Sequence, residues 1–125
     1  MPNSNKGELV WFIPDGYIPP TSSGSLTSHE SICVLNTGDK EANVLVTVYF
    51  EDRDPLENIP VTVQGRRTFH IRTSSLETKG ERIPPGVPYA MEVVSDVPII
   101  VQYSRLDATQ AENALMSVVA YPWKA

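Results

Sequence analysis

The chain is poor in several residue types, and each shortage excludes a class of protein. Its 125 residues include one cysteine, Cys33, so no internal disulfide can form. There are two histidines and no C-x-x-C or H-x-H pair, so we expect no metal site and no cofactor. The chain has no G-x-S-x-G motif and no glycine-rich loop that opens a helix, so we expect no enzymatic activity. No apolar run reaches membrane-spanning length, and the polar first residues do not form a signal peptide.

Positive charge is also scarce, since the formal net charge is −5. An acidic balance argues against non-specific binding to nucleic acid or to an anionic membrane. With 41% hydrophobic and 20% charged residues the chain is globular, and its length suits one domain over residues 1–125, with residues 1–7 as a flexible tail. The single cysteine fits a reducing compartment. We therefore expect a soluble cytoplasmic protein that does not insert into a membrane.

Short apolar runs separated by turn signals are the main structural pattern. The clearest run places Val44, Val46 and Val48 on one face of a strand. The predicted strands cover residues 9–13, 31–36, 42–50, 59–63, 66–72, 89–94, 99–101 and 115–121. About eight such strands with little helical periodicity predict an all-β, single-domain antiparallel sandwich.

Four local predictions accompany this fold. Pro14 should end the first strand, and the Asn36–Asp39 turn should join the second and third strands as a hairpin. Ser95 and Asp96 should form a turn. Cys33 should be a small buried core residue.

Polar side chains are concentrated between the last two core strands, at Arg105, Asp107, Gln110, Glu112 and Asn113. In one interpretation Asp107 and Gln110 form a capping box, and residues 107–113 make one or two helical turns. In the other, Arg105 and Glu112 face a cleft and contact a ligand or partner. The two interpretations are compatible.

Two further sets of residues are candidates for binding. Arg66, Arg67, His70 and Arg72 form the one cationic cluster, which would hold an anionic ligand or nucleic acid, or would simply pair with nearby carboxylates. Aromatic residues such as Trp11 and Tyr103 lie in sequence beside polar ones. This combination is typical of sugar sites, in which an aromatic platform adjoins hydrogen-bonding groups.

Several segments together resemble one known family. They are Gly16-Tyr17-Ile18-Pro19-Pro20, Ser28-His29-Glu30, Cys33-Val34-Leu35-Asn36-Thr37-Gly38-Asp39, Arg66-Arg67-Thr68 with His70, and Arg105-Leu106-Asp107 followed by Gln110-Ala111-Glu112-Asn113-Ala114-Leu115. In order and spacing they resemble the soluble sensory rhodopsin transducer family, over about Trp11 to Tyr121.

The resemblance implies a small β-sandwich that assembles as a homotetramer and has no catalytic activity. It implies a membrane photoreceptor as partner for the namesake member, sugar-like ligands for relatives without a rhodopsin, and DNA as a proposed target. Positions that match the family's polar motifs are His29, Glu30, Arg67, His70, Arg105, Asp107, Glu112 and Asn113.

These observations lead to three hypotheses. The first is a homo-oligomeric sensor of a small ligand such as a sugar, with candidate ligand-binding residues Trp11, His29, Glu30, Arg67, His70, Tyr103, Arg105, Asp107, Glu112 and Asn113. The second is a transducer that docks on a membrane receptor or regulatory protein without a small ligand. The third is a DNA-binding regulator that uses Arg66, Arg67 and Arg72.

Overall fold

The computed structural model describes residues 6–22, 27–110 and 114–124. Ten strands follow one another in this part of the chain, together with one 3₁₀ turn at Thr73–Ser75. The strands are β1 (Glu8–Tyr17), β2 (His29–Asn36), β3 (Ala42–Phe50), β4 (Leu56–Val63), β5 (Arg67–Arg72), β6 (Glu77–Thr78), β7 (Glu81–Arg82), β8 (Pro88–Asp107), β9 (Ala114–Val119) and β10 (Tyr121–Trp123). All pairings are antiparallel.

Strand β8 belongs to both layers of a β-sandwich. Its first half pairs with β1 and β3, which gives a first sheet in the order β10-β1-β8-β3-β4. Its second half pairs with β2 and β9, which gives a second sheet in the order β9-β8-β2-β5. The predicted all-β antiparallel fold is therefore confirmed, and eight of the described strands build the two layers.

The core lies between the layers and follows the period-2 pattern of the strands. Val44, Val46 and Val48 are buried as their alternation predicts, and Ile32 and Val34 face them from the second sheet. Trp11 and Tyr103 are 4% and 2% exposed, so these large aromatic rings contribute to the same core.

The predicted turn at Ser95–Asp96 is wrong, because β8 continues through it. Residues 96–98 have no ladder partner among the described strands, and the strand passes from one sheet to the other there. Pro98 is tolerated in this unpaired segment because no ladder hydrogen bond is required of it. The side chain of Asp96 accepts hydrogen bonds from the backbone N–H of Asn43 at 2.8 Å and from Asn43 Nδ2 at 2.9 Å, which fixes the crossing.

The predicted hairpin between the second and third strands is also wrong. Strand β2 pairs with β5 and β8, whereas β3 pairs with β4 and β8, so the chain changes sheet between them. Buried Asn36 directs this crossing, since its Nδ2 donates to the carbonyl oxygens of Lys40 at 2.8 Å and Val63 at 3.2 Å. A local turn signal predicted the turn but not the sheet to which the next strand belongs.

Two smaller predictions are corrected as well. Cys33 lies on the outer face of the second sheet and is only partly buried, because its neighbours Ile32 and Val34 take the core positions. Strand β1 does not end at Pro14 but continues to Tyr17 through a register shift between Ile13 and Gly16. No helix in the three described segments is long and apolar enough to cross a membrane.

Candidate functional site

A fully buried carboxylate occupies one end of the sandwich. Glu30, on the inner face of β2, has no exposed surface. Its Oε2 accepts a hydrogen bond from Arg105 Nε at 2.5 Å, and its Oε1 accepts one from the hydroxyl of Tyr89. The backbone N–H of Tyr17 donates to both oxygens, at 3.1 and 3.0 Å. The charge of Glu30 is thus paired and hydrogen-bonded within the protein, as a buried charge must be.

Two further side chains surround this pair. The hydroxyl of Tyr103 accepts from Arg105 Nε at 3.2 Å and from Nη2 at 3.1 Å. Thr73 Oγ1 lies 3.0 Å from the Tyr89 hydroxyl and donates to the carbonyl oxygen of Glu30 at 3.3 Å. We call Glu30, Thr73, Tyr89, Tyr103 and Arg105 the Glu30 network. It ties both sheets together, because its members come from both halves of β8, from β2 and from the turn after β5.

The ionisation of the two tyrosines is suppressed by their surroundings. Burial, followed by the negative charge of Glu30, raises the pKa of Tyr89 far above its ordinary value. Burial, followed by the nearby carboxylate of Glu30, raises the pKa of Tyr103 as well. Burial opposes the charge of Arg105, but the contacts with Tyr103 and Glu30 outweigh it and raise the pKa of the guanidinium. The network therefore keeps neutral tyrosines around one ion pair.

A glycine in a bulge allows the network to form. Between Ile13 and Gly16, β1 has two residues opposite one residue of β8, which is a β-bulge. A Cβ on Gly16 would lie 2.6 Å from the ring of Tyr89. Glycine at this position therefore lets the tyrosine ring cross the backbone of β1 and reach Glu30.

The same bulge borders an open cavity of about 490 Å³. One wall is β1 from Phe12 to Asp15, the floor includes Tyr103, and the other wall consists of β9, at the edge of the second sheet, and the start of β10, at the edge of the first. The lining residues are Phe12, Ile13, Pro14, Asp15, Tyr103, Met116, Val118, Val119, Ala120, Tyr121 and Pro122. We call it the β1–β9 cavity. Its volume is in the range of small-molecule sites, and among its described lining residues only Asp15 carries a charged side chain.

The loops at this end of the sandwich are also held by hydrogen bonds. Ser28 Oγ accepts from the backbone N–H of Ala108 at 2.8 Å and donates to the carbonyl oxygen of Thr21 at 3.3 Å. Asp107 Oδ1 accepts from the N–H and hydroxyl of Thr109, at 3.0 and 2.7 Å, and these bonds lower the pKa of the carboxyl. The predicted helical turn is wrong at residues 107–110, because β8 runs to Asp107 and residues 108–110 are not helical, so Asp107 bonds to Thr109 in a bend and caps no helix there.

Three of the sequence-predicted site residues meet in the network, namely Glu30, Tyr103 and Arg105. Asp107 follows them at the end of β8. His29 points to the outer face of the second sheet, opposite Leu106 in the strand pairing, and borders a shallow depression of about 310 Å³. Glu112 and Asn113 lie outside the described residues.

Other predicted residues lie away from this end. Trp11 is in the core, and its indole N–H donates to the carbonyl oxygens of Glu8 and Ile99, at 3.0 and 3.1 Å. Arg67 pairs with Asn36 at the opposite end of β2, and His70 is opposite Cys33 on the outer face. The three arginines of the cationic cluster do not share one face. Arg67 and Arg72 point to opposite sides of β5, and Arg66 precedes the strand with a φ of 58°.

Several residues of the site escaped sequence analysis. Tyr89 and Thr73 resemble ordinary strand and loop residues, and nothing near them in sequence indicates a buried carboxylate. Asp15 is not among the predicted site residues, because the Pro14-Asp15-Gly16 segment is as typical of a turn as of a bulge. Among the described residues, no group of three or more His, Cys, Asp and Glu side chains is placed to hold a metal ion.

Comparisons with known proteins agree with this geometry. No curated protein matches the chain. A solved Thermotoga maritima protein, designated 1070, is 38% identical, with a TM-score of 0.84 over 94% of this chain and 97% of that one. The structure of the Anabaena sensory rhodopsin transducer is 42% identical, with a TM-score of 0.72 over 85% of this chain and 94% of that one. The sequence profile described as Anabaena sensory rhodopsin transducer matches residues 6–122. The chain therefore belongs to the Anabaena sensory rhodopsin transducer family, as the motifs of its sequence predicted.

Proposed function

We propose that the protein is a non-enzymatic, cytoplasmic binding and signalling module that senses a small ligand in the β1–β9 cavity. The cavity itself supports this proposal. It is of ligand size, it adjoins the Glu30 network through Tyr103, and its other wall includes edge strand β9, whose side chains are exposed.

The lining favours a neutral sugar among the sugars that the family resemblance suggests. Phe12 and Tyr121 provide aromatic rings against which the C–H face of a sugar packs, and Asp15 accepts hydrogen bonds from hydroxyl groups. A sugar acid or a sugar phosphate would bring its negative charge close to Asp15. We therefore expect neutral sugars to bind more tightly than their acidic or phosphorylated counterparts.

Strand β9, in the wall of the cavity, could carry the effect of ligand binding to the protein surface. All six residues of β9 are exposed, and Leu115 and Val119 are 83% and 69% exposed. An uncharged apolar strand of this kind needs a partner, because monomers seldom expose contiguous apolar patches. We propose that β9 takes part in a homotetramer, and that a ligand between β1 and β9 changes the position or order of this surface.

A thermal-shift screen of neutral sugars, sugar acids and sugar phosphates tests the ligand proposal. A ligand at about a hundred times its dissociation constant adds about 2.7 kcal/mol of stability, which raises the melting temperature by several degrees. Val118→Trp should fill the cavity and abolish the shift. The matched control Leu45→Trp, at an exposed position outside the cavity, should keep it. A shift that survives Val118→Trp would place the ligand elsewhere.

A second function is supported by the same exposed strand, β9. In this alternative the protein docks on a membrane receptor and needs no small ligand, as the name of its Anabaena relative indicates for that protein. Calorimetric titration with detergent-solubilised Anabaena sensory rhodopsin tests this function. Binding that is lost in Leu115→Lys, combined with no hit in the sugar screen, would favour receptor docking. Light scattering of both forms shows whether Leu115→Lys acts by dissociating an oligomer.

A further inference from the structure

The outer edges of the two sheets are protected to different degrees against pairing with a strand of another molecule. In the first sheet, edge strand β4 contains Pro60, a register shift opposite β3 and Asn58 at a φ of 56°. The other edge, β10, is three residues long and contains Pro122. Prolines, bulges and short length are features that prevent another strand from pairing with an edge. The first sheet therefore presents no regular edge for strand addition.

Strand β5, at one edge of the second sheet, has none of these features. It pairs with β2 in unbroken register over six residues, from Arg67 to Arg72, and contains no proline. Five of its six residues are exposed, and only Ile71 is buried. Along its free side, alternate residues of this roughly 20 Å strand direct backbone N–H and C=O groups away from β2.

The charge of this edge is opposite to that of the protein. Residues 64–75 contain three arginines, one histidine and no carboxylate, in a chain with a net charge of −5. Within the described part of the chain, the one ion pair at this end is an exposed contact between Arg66 and Asp39 at 3.9 Å. Arg67 and Arg72 thus remain available for carboxylates of another molecule.

The side chains of β5 also define where an added strand would place its own. Arg67, Phe69 and Ile71 share the inner face, where Phe69 is 45% exposed beside a groove of about 310 Å³ next to β4. His70 and Arg72 are on the outer face. An antiparallel strand would therefore find an apolar position opposite Phe69 and cationic positions toward both ends.

We propose that the free edge of β5 binds an extended acidic segment of a partner protein by strand addition. Main-chain hydrogen bonds would supply affinity, Phe69 would receive an apolar side chain, and Arg67 and Arg72 would pair with carboxylates. Nucleic acid fits this edge less well, because Arg67 and Arg72 lie on opposite faces and the protein as a whole is acidic.

Titration of ¹⁵N-labelled protein with the peptide acetyl-Glu-Val-Glu-Val-Thr-Glu-amide tests the proposal. We expect saturable amide shifts along β5 and slower hydrogen exchange of its outward N–H groups. Arg67→Glu/Arg72→Glu should weaken the affinity at least tenfold. The control Lys40→Glu/Lys79→Glu makes the same change in net charge at exposed sites outside β5 and should change the affinity less than twofold.

Two other ligands separate strand addition from simple charge attraction. The peptide acetyl-Glu-Val-Glu-Pro-Thr-Glu-amide has the same charge but carries a proline in the strand, and it should bind at least tenfold more weakly. Equal binding of the two peptides, or no binding of the first, would overturn the proposal. Tighter, strongly salt-dependent binding of a 20-base-pair DNA duplex at β5 would replace it with the nucleic-acid function. If a second copy already covers β5, the peptide fails to bind, and the proposal falls.

Discussion

The Glu30 network and the β1–β9 cavity share Tyr103, yet they differ in burial, in polarity and in the space they leave for another molecule. In the network, a buried carboxylate is satisfied by donors of the protein itself. In the cavity, the same tyrosine borders an open, largely apolar space of about 490 Å³. Glu30 and Arg105, two of the predicted ligand-binding residues, therefore have hydrogen-bond partners within the protein, whereas the cavity has room for a ligand.

This difference predicts different effects for substitutions in the network and in the cavity. A buried ion pair contributes little net stability against an apolar replacement, but the loss of one partner leaves an uncompensated charge and is costly. An exposed cavity residue carries no such penalty. Substitutions in the network should therefore act on folding, and substitutions in the cavity should act on binding.

The largest effect is expected for Glu30→Gln. It leaves Arg105 partly buried without its counter-ion, and we expect a loss of about 3–5 kcal/mol in the free energy of unfolding. Urea denaturation measures the loss. Glu51→Gln, at an exposed position of the same charge, is the control and should change stability by less than about 0.5 kcal/mol. Partial recovery in Glu30→Gln/Arg105→Met would show that the unpaired charge is the cause, and an effect no larger than that of Glu51→Gln would contradict a structural network.

Alkaline pH should reduce the stability of the folded protein through the two tyrosines of the same network. The pKa values of Tyr89 and Tyr103 are raised in the folded state, chiefly by burial, above the ordinary value of 10.0. Their contribution to stability is fully present below pH 10 and is lost as the pH rises beyond it, by about 1.4 kcal/mol per pH unit for each tyrosine.

Urea midpoints between pH 8 and pH 11.5 measure this loss, while absorbance of tyrosinate reports ionisation. The ionisation of two of the five tyrosines should coincide with unfolding. Tyr103→Phe should reduce the slope of stability against pH above pH 10 by about half. Free ionisation of all five in the folded protein would show that the interior is open to water.

A moderate effect is expected for Gly16→Ala, at the boundary between the network and the cavity. The new methyl group would lie 2.6 Å from the ring of Tyr89, so the ring or the bulge must move. We expect a cost of about 1–3 kcal/mol by urea denaturation. Gly38→Ala is a matched control, because its methyl group would meet only Asn36 Oδ1 at 3.6 Å. Similar losses in the two variants would indicate a general cost of replacing glycine in turns.

The sequence predicted the layers of this fold better than their connections. Alternation along residues 42–50 and the apolar positions of β2 follow directly from burial on one face, so the strands and the core were predictable. The change of sheet at Asn36 was not, since it depends on hydrogen bonds to Val63 and Gln64, which are distant in sequence. The continuous β8 was missed because Ser95, Asp96 and Pro98 are turn-forming residues when they are considered locally.

The candidate site was predictable to a similar extent. Glu30 and Arg105 stand out as polar residues within strands, and they do lie opposite each other in the strand pairing. That they bind each other in place of a ligand depends on Tyr89 and on the bulge at Gly16, and both require the three-dimensional structure. The β1–β9 cavity arises from the gap between two sheet edges, which leaves no pattern in the sequence of either strand.

The smallest effect on stability, and the sharpest test of the comparison, is expected for Asp15→Asn. Asp15 is exposed on the bulge and lines the cavity, so its substitution should change the free energy of unfolding by less than about 0.5 kcal/mol. If the cavity binds a neutral sugar, the loss of the carboxylate acceptor should weaken that sugar about tenfold in the thermal-shift titration, because a hydrogen bond to a charged group contributes about 1.5–3 kcal/mol. Asp54→Asn, at an exposed site away from the cavity, should leave both stability and affinity unchanged. A loss of stability without a loss of affinity in Asp15→Asn would contradict the expectation that cavity substitutions affect binding and not folding. The bulge would then be part of the structural network, and the cavity would lack a polar group for recognition.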